Sequence, residues 1–251
     1  VPVKILVIHS TSLVGKSTIV ASLLHPQLNS PGVFSVETQN QGAGRYGIDV
    51  VRYCASNFQQ LFDDIILEPN DLIVDVSASQ YFYIMDEFDR VRGAINDFNV
   101  VIVPTTPDGR VQEDTIGAIE MLRKVGLQLE KLRVLFNRAT ADQDNDPDIQ
   151  FERVIRYLKE TPGLYYYEGL VVYESPIHAD LHEEGLSFHQ MMNDRTDYRT
   201  ALDEEIRRDP RGAETIRLVR TLAIQRTVAS VKENLDHVFA ALRLPAVNGE
   251  T

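Results

Sequence analysis

Ile5-Leu6-Val7-Ile8-His9-Ser10-Thr11-Ser12-Leu13-Val14-Gly15-Lys16-Ser17-Thr18 is a run of apolar residues that gives way to small polar ones and ends on Gly-Lys-Ser-Thr. With Ile19, Val20 and Ala21 behind it, the stretch predicts a buried strand, a loop and the start of a helix. Backbone N–H groups of such a loop, with a helix N-terminus behind them, can wrap phosphate oxygens. Ser12, Leu13, Val14, Gly15, Lys16, Ser17 and Thr18 are the predicted cradle. Lys16 would bridge the outer phosphates, Ser17 would offer its hydroxyl to Mg²⁺, and Thr18 would bond the innermost phosphate. A bare Gly-Lys-Ser/Thr triplet arises by chance in about one chain in eight of this length, so the strand before it and the helix after it carry the reading. Ser10 stands where the usual pattern has its first glycine, and is accommodated if its backbone keeps a negative φ.

Working outward, apolar runs alternate with amphipathic ones to about residue 175. Strands are predicted at Ile5–Ile8, Val33–Val36, Leu72–Val76, Val100–Val103, Leu132–Phe136 and Leu170–Tyr173. Their unbroken apolar character suits strands covered on both faces, as in a parallel sheet. Helices are predicted at Lys16–Leu24, Phe58–Ile66, Gln80–Asn96, Arg110–Val125 and Asp148–Glu160. The alternation implies an α/β fold with a doubly wound, mostly parallel sheet and right-handed crossovers. Beyond residue 188 only helices are expected, with a turn at Asp209-Pro210-Arg211-Gly212. That divides the chain into an α/β domain over residues 1–190 and a helical C-terminal region over 191–251. In the last helix Val231, Leu235, Val238 and Leu242 form an apolar stripe, read as packing on the core or as a partner seam. Val247–Thr251 read as a frayed tail.

Ligands of such folds sit at the carboxyl ends of the strands, and further candidates fall there. Asp75, in Leu72-Ile73-Val74-Asp75-Val76, would hold a metal's water shell; it could equally cap a turn. Glu37 and Gln39 follow the second strand, where a carboxylate or amide could position water or meet the metal; a plain surface loop is the competing reading. Asn137 ends the fifth strand, where its amide could pair with a purine edge or simply begin a loop. Pro176, after the last strand, could stack on a base.

Composition narrows the function classes. The 251 residues are 43% hydrophobic, enough for one large α/β domain with an appendage. A formal charge of −12 argues against coating nucleic acid by bulk electrostatics. Arg207, Arg208, Arg211, Arg217, Arg220 and Arg226 make one basic local region, read as a solvated face or a docking face, and direct DNA binding is not expected. One cysteine, Cys54, can form no internal disulfide and no metal site alone, which fits a reducing cytoplasm. No apolar run reaches the roughly 18 residues of a membrane span, and no signal peptide is expected at Val1-Pro2-Val3-Lys4.

Together these elements resemble the ParA/MinD superfamily of deviant-Walker P-loop ATPases, and most nearly the StbB group of plasmid stability proteins. The resemblance runs over about residues 3–190. Ser12 to Thr18 match the phosphate loop, Glu37-Thr38-Gln39-Asn40-Gln41-Gly42 the family's Asp-x-Asp-Pro-Gln-Gly segment, and Asp75 the Walker B aspartate. Val101-Ile102-Val103-Pro104 is similar to the family's apolar strand ending in proline. Asn137 and Arg138 match the adenine-contacting Asn and its basic neighbour, and Ser175-Pro176-Ile177-His178 with Glu184-Gly185-Leu186-Ser187 the late proline loop. The resemblance implies ATP or ADP with Mg²⁺ as ligands, a nucleotide-dependent homodimer, and work in plasmid stability, partition or control of DNA transfer beside a DNA-binding partner protein. Two positions depart from the family: Thr11 replaces its signature lysine and Gln39 its water-aligning aspartate. Hydrolysis is therefore expected to be slow, or to need a partner. The alternatives are a degenerate scaffold with little turnover and a small-molecule enzyme of the dethiobiotin-synthetase type.

Overall fold

The computed structural model describes residues 2–28, 31–38, 42–141 and 146–245. The chain divides into two compact units, Val1–Glu174 with Asp236–Thr251, and Ser175–Leu235.

The first unit is built on seven strands: β1 (Lys4–Val7), β2 (Gly32–Val36), β3 (Val51–Tyr53), β4 (Leu72–Val76), β5 (Val100–Thr105), β6 (Leu132–Ala139) and β7 (Val171–Tyr173). Their order is β3-β2-β4-β1-β5-β6-β7, and every pairing is parallel. Parallel neighbours need crossovers, supplied here by α1 (Lys16–Ile19), α2 (Phe58–Leu67), α3 (Tyr81–Arg90), α4 (Gly109–Lys124), α5 (Pro147–Gln150) and α6 (Glu152–Glu160). Ile5, Leu6, Val7, Leu72, Ile73, Val101, Ile102 and Val103 are all inaccessible to solvent, as strands covered on both faces require. From β1 the chain moves out to β2 and β3, returns to β4 beside β1, and then passes to β5 on the far side. The crevice at the carboxyl end of β1 is thus where the winding reverses, the place such sheets reserve for ligands. Register sharpens this: Val7 lies opposite Asp75 on one side and Ile102 on the other, and Asp75 lies opposite Ser35.

Six of the strands coincide with the apolar runs of the sequence. β3 does not: it is a three-residue edge strand with Val51 and Arg52 exposed, too short and too polar for the pattern to register. The helices also differ in detail. Residues 16–24 are helical, but after Ile19 the turn widens, with His25 N donating to Val20 O at 2.9 Å. The predicted helix Gln80–Asn96 stops at Arg90, with Gly93 at φ +89, a conformation that suits glycine alone. Asp148–Glu160 breaks at Phe151, which is wholly buried at φ −115. Asp108 and Asp146 cap α4 and α5 through their side chains, satisfying N–H groups that the helices cannot.

The second unit is helical: α7 (Ile177–Glu183), α8 (Phe188–Asn193), α9 (Tyr198–Arg208) and most of α10 (Ala213–Ala241). The predicted turn falls between α9 and α10, where Gly212 N bonds Asp209 O at 3.2 Å. Leu202, Leu218 and Leu222 pack together with Tyr198 and Ala201, and a reciprocal Ser187–Gln190 capping box starts α8. Of the late arginines, Arg208 pairs with Glu205, Arg217 with Glu214 and Arg220 with Glu184, which accounts for half the cluster as ordinary solvated pairs. Along α10, Leu235, Val238 and Leu242 are buried and Val231 half-buried. The end of the chain is held within the first unit by Arg133, whose Nε donates to Leu242 O at 2.8 Å while its guanidinium covers the Tyr167 ring at 4.1 Å. The segment 247–251 lies outside the described residues. No described helix is long and apolar enough to cross a membrane.

Candidate functional site

At the carboxyl end of β1 lies a cavity of about 320 Å³ whose walls include Ser12, Leu13, Gly15, Lys16, Ser17, Thr18, Ser35, Glu37, Asp75 and Arg138. The predicted loop, Asp75, Glu37 and the end of β6 therefore converge on one space. Val14 is buried beneath it.

Gly15 explains why the loop needs glycine there. Its φ is +91, and a Cβ on it would stand 2.2 Å from Asn137 Nδ2. That amide donates to Val14 O at 2.9 Å. Asn137 is thus drawn onto the loop, buried at 7% exposure, with its amide holding a loop carbonyl. Ser10 is not among the residues of positive φ; the unfavourable backbone falls instead on Leu13, at φ +63 and 79% exposed.

Lys16 is folded over the loop, 7% exposed, its ammonium donating to Thr11 O at 2.8 Å and His9 O at 3.4 Å. Burial pulls its pKa down to about 8, with the Asp75 carboxylate opposing. The cation is held by neutral carbonyls, so a phosphate could recruit it by exchanging weak partners for strong ones. Ser17 Oγ donates to Asp75 Oδ2 at 2.7 Å, and Thr18 Oγ1 lies 2.8 Å from Tyr46 OH.

Among the described residues no three His, Cys, Asp or Glu side chains gather as a metal site. The Ser17–Asp75 pair does suit Mg²⁺, which takes one or two protein oxygens and completes its shell with water and phosphate. Glu37 adds a third oxygen donor. Its side chain is 3% exposed, and Arg52 Nε stands 3.6 Å from Oε1. Burial pushes its pKa up and Arg52 opposes; repulsion from Asp75 adds to the rise, and a hydrogen bond from Ser35 lowers it. Two carboxylates so close in a cavity favour the entry of a cation between them. Gly42, at φ +49, makes room: a Cβ there would lie 3.1 Å from Glu37 Oε2 and 2.5 Å from Ser35 Oγ.

Behind the loop is a network that the sequence reading missed. His9, fully buried, accepts from Thr11 N–H at Nδ1 (2.8 Å), which leaves its proton on Nε2, 3.0 Å from Thr115 Oγ1. Burial and the neighbouring Lys16 charge lower its pKa to about 4 against the pull of Asp114. Thr11 Oγ1 donates to Asp114 Oδ2 at 2.6 Å. Thr11 is therefore anchored through its N–H, its hydroxyl and its carbonyl. Asp114 and Thr115, the α4 partners of Thr11 and His9, lie over a hundred residues away in sequence, and no local motif announces them. Arg52 was missed because β3 is an edge strand too short and too polar to show in the sequence.

Not every predicted residue can be placed at this cavity. Gln39 lies outside the described residues. Pro176 belongs to the second unit, where its carbonyl accepts from Ala179 N at 2.8 Å as a helix-start residue.

Comparison with known proteins finds no matching family model and no matching curated protein. Solved structures do match. Apo McdA of Cyanothece is similar at 13% identity with a TM-score of 0.52, over 74% of this chain and 92% of that one. A putative plasmid partition protein of Borrelia burgdorferi B31, bound to AMPPNP, is similar at 14% identity with a TM-score of 0.50, over 90% and 99%. At such identities the likeness is one of fold. It is a doubly wound, all-parallel α/β fold, followed in this chain by helices.

Proposed function

We propose that this chain is a Mg·ATP-binding switch of the ParA-like kind with slow intrinsic turnover. The observation that carries the reading is the convergence, in one cavity, of a carbonyl-held Lys16, the Ser17–Asp75 pair and the buried carboxylate of Glu37. Each is what a Mg·triphosphate would use. Lys16 would leave Thr11 O for the outer phosphates, Ser17 and Asp75 would hold the ion and its water, and Glu37 would orient a water molecule. An ion held there would supply charge neutralisation at the phosphates. Asn137 and Arg138 are carried as further nucleotide contacts. The fold shared with a partition protein bound to AMPPNP supports the ligand class.

Slow turnover follows from the loop. Thr11 offers no charge and its hydroxyl is spent on Asp114, so transition-state stabilisation has to come from elsewhere in the site or from a partner. The biological output we infer is plasmid stability, partition or control of DNA transfer in the cytoplasm, by a nucleotide-dependent homodimer and a DNA-binding partner protein. Ordering of loops by the γ-phosphate is the physical basis of such switches. We also propose the helical C-terminal region, 191–251, as an extension of the nucleotide-binding domain.

Calorimetric titration with ATP, ADP and GTP in the presence of Mg²⁺ tests the reading. The wild type should bind ATP, and Lys16→Ala should lose at least tenfold in affinity, the scale of one charge-assisted bond to phosphate. Equal binding by both proteins would remove the phosphate-loop assignment.

A further inference from the structure

Of the described side chains that wall the cavity, two are cationic: Lys16, buried on the loop carbonyls, and Arg138. Arg138 is exposed and makes no hydrogen bond or ion pair among the described residues. Most other arginines of the first unit are tied down, as Arg52, Arg90, Arg123, Arg133, Arg153 and Arg156 illustrate. Arg138 also stands on an unusual backbone. Its φ is +58, and the β6–β7 register slips between Asn137 and Ala139. Such a bulge re-aims a side chain, and arginine in the left-handed region is held there at a cost. The residue before it, Asn137, turns its amide into the loop; the bulge leaves Arg138 on the cavity wall.

The charge balance says what that cation faces. Glu37 and Asp75 already line the cavity, and a triphosphate adds more negative charge than one lysine offsets. We propose that Arg138 is the phosphate-side cation of this site, serving the outermost phosphate and the charge that develops when it is transferred to water. It would do so from within the same chain. The proposal rests on the nucleotide reading above and sharpens it, assigning Arg138 to the phosphates and not to the base. Arginine suits the task through its planar fork and permanent charge, and a cation so placed in cis or in trans accelerates phosphoryl transfer by roughly 10³–10⁵ in other nucleotidases.

The test compares wild type, Arg138→Asn and Arg138→Lys by titration with Mg·ATP, Mg·ADP and Mg·GTP, by ATP turnover, and by thermal midpoint. Asn tolerates the left-handed backbone, so Arg138→Asn removes charge without adding strain. Its midpoint should equal or exceed that of the wild type. Its ATP affinity should fall on the order of tenfold, the value of one charged hydrogen bond, with ADP affected far less and the ATP/GTP ratio unchanged. Turnover should fall further than binding, and Arg138→Lys should recover part of both. Equal losses for ATP and ADP with an altered ATP/GTP ratio would place Arg138 at the base and overturn the proposal. So would unchanged nucleotide parameters, or a lowered midpoint with all nucleotides weakened alike. Absence of ATP binding by the wild type would overturn the nucleotide reading itself, and this assignment with it.

Discussion

Between pH 6.5 and about 4, acidification should cost this protein stability through His9. Its ring is sealed behind the phosphate loop, accepts from Thr11 N–H and faces Thr115, so the folded state holds it neutral with a pKa lowered from 6.5 to about 4. The unfolded chain takes up a proton near pH 6.5 and the folded chain does not, so stability rises with pH between about 4 and 6.5 and falls as pH is lowered through that window. Below about 4 both states are protonated and the loss is complete. The interval of about 2.5 pH units at 1.36 kcal/mol each comes to about 3 kcal/mol, a large share of the 5–15 kcal/mol typical of a folded domain. Urea unfolding between pH 7 and pH 4, for wild type and His9→Asn, isolates the term. The Asn oxygen can still accept from Thr11 N–H but does not titrate, so the variant should start about 1–2 kcal/mol less stable and show a flatter profile. Parallel pH profiles would refute the reasoning, as would an NMR titration of His9 with a midpoint above pH 6.

Two further substitutions probe other parts of the structure. Gly15→Ala should cost about 2–3 kcal/mol, combining left-handed backbone strain with displacement of Asn137 from Val14 O; the double variant Gly15→Ala/Asn137→Ala should recover the steric part in chemical denaturation, and full additivity would show that the two residues are not in contact. Arg133→Met should lower stability by about 2–3 kcal/mol, because Leu242 O, Glu130 O and Leu132 O lose their donor and the Tyr167 ring its cation, while ATP affinity stays at the wild-type value; a loss of affinity would mean that the clamp communicates with the cavity.

How much of this could be read from the chain alone differs by element. The strands that became β1, β4 and β5 were legible because a strand buried on both faces must be apolar throughout, and that composition is local. The loop was legible for the same reason: Gly15, Lys16 and Ser17 are contiguous, and their chemistry does not depend on what lies across the sheet. β3 escaped notice because a three-residue edge strand half in water carries no pattern. The break at Phe151 escaped because a buried aromatic is as compatible with a continuous helix as with a kinked junction.

The amino-acid sequence by itself determined the fold class and singled out the Gly15-Lys16-Ser17 loop and Asp75 as candidates, since each depends on residues within one strand–turn–helix unit or on its hydrophobic period. Only the tertiary structure decided that Asn137 grips the loop, that Thr11 is anchored to Asp114 and His9, that Glu37 is buried beside Arg52, and that Arg138 stands on the cavity wall. Those facts come from strand order and register, which bring together residues up to 123 positions apart. A linear pattern records which faces are apolar; it does not record which polar side chains meet when the sheet closes.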